Sequence, residues 1–116
     1  MTNKPLIKIL KNKHEIDHLF KEGLISSSSI IKLVYSKKTS DIYFYYSVAV
    51  PKKNFKRAVD RNKLKRLMRE SIRSFYKINS PILSPFNRSI FIFTGDSMKS
   101  YKEIQASIFL IINKIV

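Results

Sequence analysis

The chain has 116 residues, and its 23 Lys and Arg against 8 acids give a formal net charge of +15. Such an imbalance carries self-repulsion and is the electrostatic footprint of a nucleic-acid binder. The absence of cysteine excludes disulfides and thiolate zinc sites and fits a reducing, cytoplasmic setting. Hydrophobic residues at 44% are ample for the core of one domain spanning 1–116, which at this size buries a little under about two-thirds of its unfolded surface. The longest apolar runs, such as 108–112, are far too short to span a bilayer, and the start MTNKPLIKIL lacks the apolar stretch of a secretory signal.

In chain order, a first helix is predicted from Asn12, which has capping-box spacing with Glu15, to Gly23, a candidate left-handed C-cap. Ile16, Leu19 and Phe20 make its apolar stripe. The serine run 26–29, read as a short edge strand or an extended approach to one, leads into the strand-like Ile30-Ile31-Lys32-Leu33-Val34-Tyr35. Residues 37–41 form a polar turn into a β-branched and aromatic strand at 42–50, and the two strands are expected to pair as an antiparallel hairpin. Pro51 ends the second strand by removing a ladder donor. A basic loop over 52–57 enters a long helix from 58 to 78, and Pro81 and Pro85 bound the next connection. Residues 88–94 read as a strand and Gly95-Asp96 as a turn. Ser100 and Glu103 repeat the capping-box spacing before a last helix that buries Ile104, Ile108, Ile111, Ile112 and Ile115. The order α-β-β-β-α-β-α is that of an α+β sandwich, helices packed on one four-stranded sheet.

The long helix carries the strongest pattern. Residues four apart advance only about 40° around a helix axis, so Arg61, Lys65, Arg69 and Arg73 form one slowly winding basic ridge that Asn62 and Arg66 broaden. Leu64, Leu67, Met68, Phe75 and Ile78 fall on the opposite side, a division that fixes one face in a core and presents the other to a partner. A single charge run is usually a solvated face. Here Lys52, Lys53, Lys56, Arg57, Arg61 and Lys63 crowd into the same segment as the ridge, with only Asp60 and Glu70 opposing them. The expected partner is a polyanion.

Catalytic groups on the protein itself are poorly represented. His14 and His18 have a spacing that can hold a metal, but no third ligand is apparent. The acids are scattered, without the close pair of a two-metal nuclease, and the two glycines, Gly23 and Gly95, exclude a Gly-rich phosphate loop. Binding is better equipped: alternation over 42–50 puts Tyr43, Tyr45 and Ser47 on one face and Ile42, Phe44, Tyr46, Val48 and Val50 on the other. Aromatics on a sheet face usually belong to a core, but a partly open face with tyrosines beside lysines suits single-stranded nucleic acid.

The run Arg61-Asn62-x-x-Lys65-Arg66-x-x-Arg69, preceded by Lys52-Lys53 and Ala58-Val59, closely resembles the RNR signature of the bacterial ribonuclease P protein subunits, small basic partners of a catalytic RNA. The likeness extends to chain length, to an opening helix ending in Phe-Lys-x-Gly, and to the element order. The resemblance implies a mixed sheet with a left-handed β-α-β crossover and a division of labour. The RNR helix would face the catalytic RNA through Arg57, Arg61, Asn62, Lys65, Arg66, Arg69 and Arg73. A cleft between the first helix and the sheet would hold the single-stranded 5′ leader of precursor tRNA, lined or flanked by Ile16, Phe20, Tyr35, Val50, Lys52 and Lys53. The reaction implied is hydrolysis of the phosphodiester that frees the leader, with Mg2+ held mainly by the RNA and no catalytic or metal-binding residue on the protein. Pro51 stands where the family often has a small residue, and the loop Asn54-Phe55-Lys56-Arg57 lacks a common glycine. The main rival is a ribosomal or general RNA-binding protein without a role in cleavage. A DNA reader would need base-edge contacts and usually dimer symmetry or an appended arm, and neither DNA nor a membrane is an expected partner.

Overall fold

The computed structural model describes residues 6–115. The elements are β1 (Ile7–Ile9), α1 (Lys13–Glu22), β2 (Leu24–Ser27), β3 (Ile31–Tyr35), β4 (Phe44–Ala49), α2 (Ala58–Ile78), a short 3-10 turn (Pro81–Leu83), β5 (Arg88–Phe93) and α3 (Tyr101–Asn113). The strands form one mixed sheet in the order β1-β4-β5-β3-β2. It has five strands where four were expected: Ile7-Lys8-Ile9 adds a parallel edge strand beside β4, with Ile7 opposite Phe44 and Ile9 opposite Tyr46. Three residues give too short a pattern to register as a strand without the neighbour that pairs them.

The expected hairpin between 30–35 and 42–50 does not form. β5 lies between those strands, antiparallel to β3 and parallel to β4. The hairpin partner of β3 is instead β2, with Ile25 opposite Val34, so the serine-rich segment does supply an edge strand. The reason lies in the connection. Asn87, 1% exposed, donates from Nδ2 to Thr39 Oγ1 at 2.9 Å and to the Asp41 carbonyl at 3.1 Å, and accepts from the Thr39 N–H at 3.3 Å. Residues 36–43 therefore arch across the start of β5, held there at Thr39 and Asp41, and do not fold into a tight turn.

One face of the sheet is filled. Phe44, Tyr46 and Val50 from β4 and its end, Ile31 and Leu33 from β3, and Phe91 and Phe93 from β5 pack against α2 and α3 in the main core. α2 contributes Leu64, Leu67, Met68, Ile72, Phe75 and Tyr76, while Ile78, expected on its buried side, is 80% exposed in the last turn. α3 buries Ile104, Ile108, Ile111 and Ile112 and begins with a complete capping box between Ser100 and Glu103. The other face carries only α1. Leu19 and Leu10 form a small second cluster there with Val34 and Ile90, flanked by Ile16, Tyr45 and Ile92.

Gly23 follows α1 in an extended conformation, φ −68° and ψ 154°, not the left-handed one expected. Its requirement is space: a Cβ there would run into the Leu19 carbonyl and lie 2.8 Å from Val34 Cγ1. Among the described residues no helix is long and apolar enough to cross a membrane.

Candidate nucleic-acid interface

The first half of the interface is the outer side of α2. Core contacts on the inner side leave Asn62, Arg66 and Arg73 exposed and Arg61, Lys65 and Arg69 half-buried along the outer one. Arg57 occupies the N-cap without a side-chain capping bond and is exposed. Arg66 lies 4.0 Å from Glu70, both well exposed, a pair worth little in water that leaves the guanidinium available. Arg61 differs. Its Nη1 donates to the carbonyls of Phe55 and Lys56 at 2.7 and 2.8 Å, so it ties the basic loop to the first turn of the helix as well as contributing charge. Phe55 anchors the same loop from below, edge-on to Phe93 at 5.6 Å. The loop reaches its shape without any residue at positive φ, consistent with the missing glycine.

The second half is the face under α1. Pairing register places Tyr45 beside Arg88, Ser47 beside Ile90, and Ala49 beside Ile92; Val34 sits across from Ile90 and Lys32 from Ile92. α1 lies over β3 and β5, and the β4 strip carrying Tyr45, Ser47 and Ala49 remains only half-buried. Beside that strip Lys8 holds its ammonium 4.0 Å above the Tyr43 ring, a cation–π pairing that keeps a positive charge on the floor. Phe20, 58% exposed, and half-buried Ile16 lie four positions apart on one side of α1. An aromatic floor with cations along it and an apolar wall is what stacking and backbone neutralisation of a single strand require.

The structure brings Ile16 and Phe20 together on this face but separates two other residues expected with them. Tyr35 packs its ring 5.3 Å from Phe86 on the α2/α3 side, and Val50, 6% exposed, belongs to the main core. Both are corrections by one residue: side chains alternate along a strand, so Val34 and Ala49, not their neighbours, share the face of α1. Lys52 and Lys53 are exposed in the loop that leaves β4 and enters α2, flanking the junction between the two basic surfaces. Sequence reasoning missed Lys8, Lys32 and Ile92 as floor residues, although the alternation of Tyr43, Tyr45 and Ser47 identified the strip itself. It also missed Arg88, which bonds Glu15 and Asp41 at 3.0 and 3.2 Å.

Among the described residues no three His, Cys, Asp or Glu side chains converge. His18 lies 3.5 Å from Glu22 on the exposed surface of α1.

Comparison with known proteins follows the same lines. The family model described as Ribonuclease P matches residues 6–115. A ribonuclease P protein component of Chlorobium phaeobacteroides is 40% identical over 72 residues, covering 58% of this chain and 49% of that protein. A second, from Nitrosococcus oceani, is 39% identical over 59 residues, 51% of this chain and 49% of its own; the match thus spans about half the length of these curated relatives. Among solved structures, the RNase P protein of Staphylococcus aureus superposes with a TM-score of 0.72 at 22% identity, covering 91% of this chain and 93% of that one. That of Thermotoga maritima gives 0.73 at 20% identity, covering 92% and 96%. At that identity the structural likeness speaks for the fold.

Proposed function

The chain belongs to the ribonuclease P protein family, and from that premise we propose that it is the protein subunit of a bacterial ribonuclease P ribonucleoprotein, acting in the cytoplasm on precursor tRNA. The observation that carries the reading is the pairing of two unlike surfaces on one sheet. α2 turns an exposed cationic ridge outward, and the opposite sheet face is left partly uncovered with Tyr43 and Tyr45 beside Lys8.

In this reading Arg57, Arg61, Asn62, Lys65, Arg66, Arg69 and Arg73 bind the catalytic RNA, their charges replacing counterions along its backbone. The cleft under α1 takes the 5′ leader, with Phe20 and Ile16 as one wall, Tyr45 as floor, and Lys52 and Lys53 at the exit toward α2. The protein contributes no acid, base or metal ligand to hydrolysis of the leader phosphodiester. The RNA holds Mg2+, which supplies the electrophilic assistance to that hydrolysis.

Single-turnover cleavage of precursor tRNA, titrated with Mg2+ in the presence and absence of the protein, tests the proposal. The expected result is cleavage by the RNA–protein complex at lower Mg2+ than by the RNA alone, because dense positive charge offsets repulsion between two RNAs that otherwise needs counterions. Coincident curves would leave a general RNA-binding protein as the better reading, and cleavage by RNA-free protein would move catalysis onto the chain.

A further inference from the structure

Arg88 opens β5 at one end of the cleft floor, and all three of its guanidinium nitrogens are engaged. Nε donates to Glu15 Oε1 at 3.0 Å, Nη2 to Asp41 Oδ2 at 3.2 Å and Nη1 to Thr39 Oγ1 at 3.2 Å. The guanidinium carbon stands 5.1 Å from the Tyr45 ring centroid. Two of the chain's 8 acids therefore converge on one side chain that is only 20% exposed, where charge-assisted bonds are less screened than at the open surface.

The position matters more than the count. α1 is fixed by apolar contact through Leu19 and Ile16 at the small core, through Leu10 just ahead of it in the same core, and through Gly23 pressed against Val34. Its first turn has another attachment. Glu15 does not reach back to the N-cap, where the Asn12 side chain receives only the Glu15 N–H at 3.1 Å; its carboxylate crosses to the sheet and meets Arg88. Among the described residues this is the one ion pair joining α1 to the sheet. The bridge is thus the charged tie between the first turn and the floor beside Tyr45.

We propose that Arg88 is a positioning residue for single-stranded RNA: the Glu15–Arg88–Asp41 bridge sets the aperture of the cleft between α1 and Tyr45. Without the bridge the first turn lifts, and a strand in the cleft loses simultaneous contact with wall and floor. The inference rests on the reading of this cleft as the leader site.

The test uses the complex with the catalytic RNA, carrying wild-type protein, Arg88→Met, Glu15→Ala or both changes. Affinities for precursor and mature tRNA are measured alongside the thermal midpoint of each protein. Each single variant is expected to lower the precursor-over-mature preference about tenfold, within the span of coupled neighbouring side chains, and the double variant to lose no more than either. Arg88→Lys should restore only part of the preference, because an ammonium lacks the planar fork that serves both carboxylates. An unchanged preference with lowered midpoints would overturn the inference and leave Arg88 as scaffold. Loss in Arg88→Met but not in Glu15→Ala would also overturn it, by making Arg88 a direct contact. A wild-type complex that binds both tRNAs alike would instead defeat the leader reading, and this inference with it.

Discussion

The two faces of the sheet use similar side chains to opposite ends. Under α2 and α3, Phe44, Phe91 and Phe93 are fully buried and every aromatic has an apolar partner. Under α1, Tyr43 and Tyr45 stay half-buried, their rings facing the cations of Lys8 and Arg88, and Phe20 protrudes. Two helices suffice to cover one side, whereas α1, ten residues long, is too short to cover the other. Hydrophobic burial therefore fixes the fold from one side and leaves the other with surface whose contacts are incomplete. The difference separates what holds the protein together from what it can offer a partner.

The sharpest way to break this comparison is to truncate one aromatic on each face. Phe91→Ala should cost about 3–5 kcal/mol, the loss for a fully enclosed phenylalanine and its residual cavity. Phe20→Ala should cost about 0.5 kcal/mol or less, as substitutions at exposed positions do, yet weaken binding of precursor tRNA by about 1–3 kcal/mol if a base stacks there. Chemical denaturation and tRNA affinity report the two effects separately. Equal stability losses would mean that the face under α1 is a core like the other.

A second contrast lies within α2. Arg61→Ala removes both bonds to the loop carbonyls of Phe55 and Lys56 and should destabilise by about 1–3 kcal/mol; Arg66→Ala gives up only an exposed pair with Glu70 and should stay within about 0.5 kcal/mol. Both should reduce the salt dependence of binding to the catalytic RNA, by about 0.7–0.9 log units per log salt for each lost phosphate contact. Urea unfolding and affinities over a salt series measure the two quantities. If both variants unfold alike, the loop staple is not formed in solution; if neither alters the salt slope, the ridge does not face phosphate.

What the sequence made legible follows from the range of the interactions involved. The bounds of α2, the N-cap at Asn12 and the capping box at Ser100 are local, set by side chains within three or four positions, and were readable. The two-sided character of β4 was readable for the same reason, since alternation needs no knowledge of neighbours. Strand order was not: β5 inserts between β3 and β4, and the loop joining those strands is held by Asn87 some 48 positions away, a bond with no periodic signature. The cleft residues failed at a single point, the parity of β3 and of the end of β4. One residue of slip there exchanges Val34 for Tyr35 and Ala49 for Val50. Arg88 was invisible as a clamp because its partners, Glu15 and Asp41, are 73 and 47 positions distant.

The smallest expected effect concerns the same capping motif used in two ways. In α1 the carboxylate of Glu15 crosses to the sheet, while in α3 Glu103 turns back, accepting from the Ser100 N–H at 2.9 Å and from its hydroxyl at 3.2 Å. Those bonds, the backbone one first, with a lesser contribution from the charge of Lys99, hold the Glu103 carboxyl below the usual range for glutamate. A carboxyl depressed in the folded state releases its proton more readily there than in the unfolded chain. Its contribution is therefore fully present above the unfolded value and fades as the pH falls through the folded one. Glu103 is fully exposed, so water and salt screen the effect to a small one. Glu103→Gln should accordingly be less stable than wild type near neutrality and approach it on acidification, as wild-type Glu103 itself becomes protonated. Paired urea unfolding curves from neutral pH down through the carboxylate range read that convergence. A gap that stays constant would show that the box acts by shape alone; a gap that widens in acid would reverse the sign argued here.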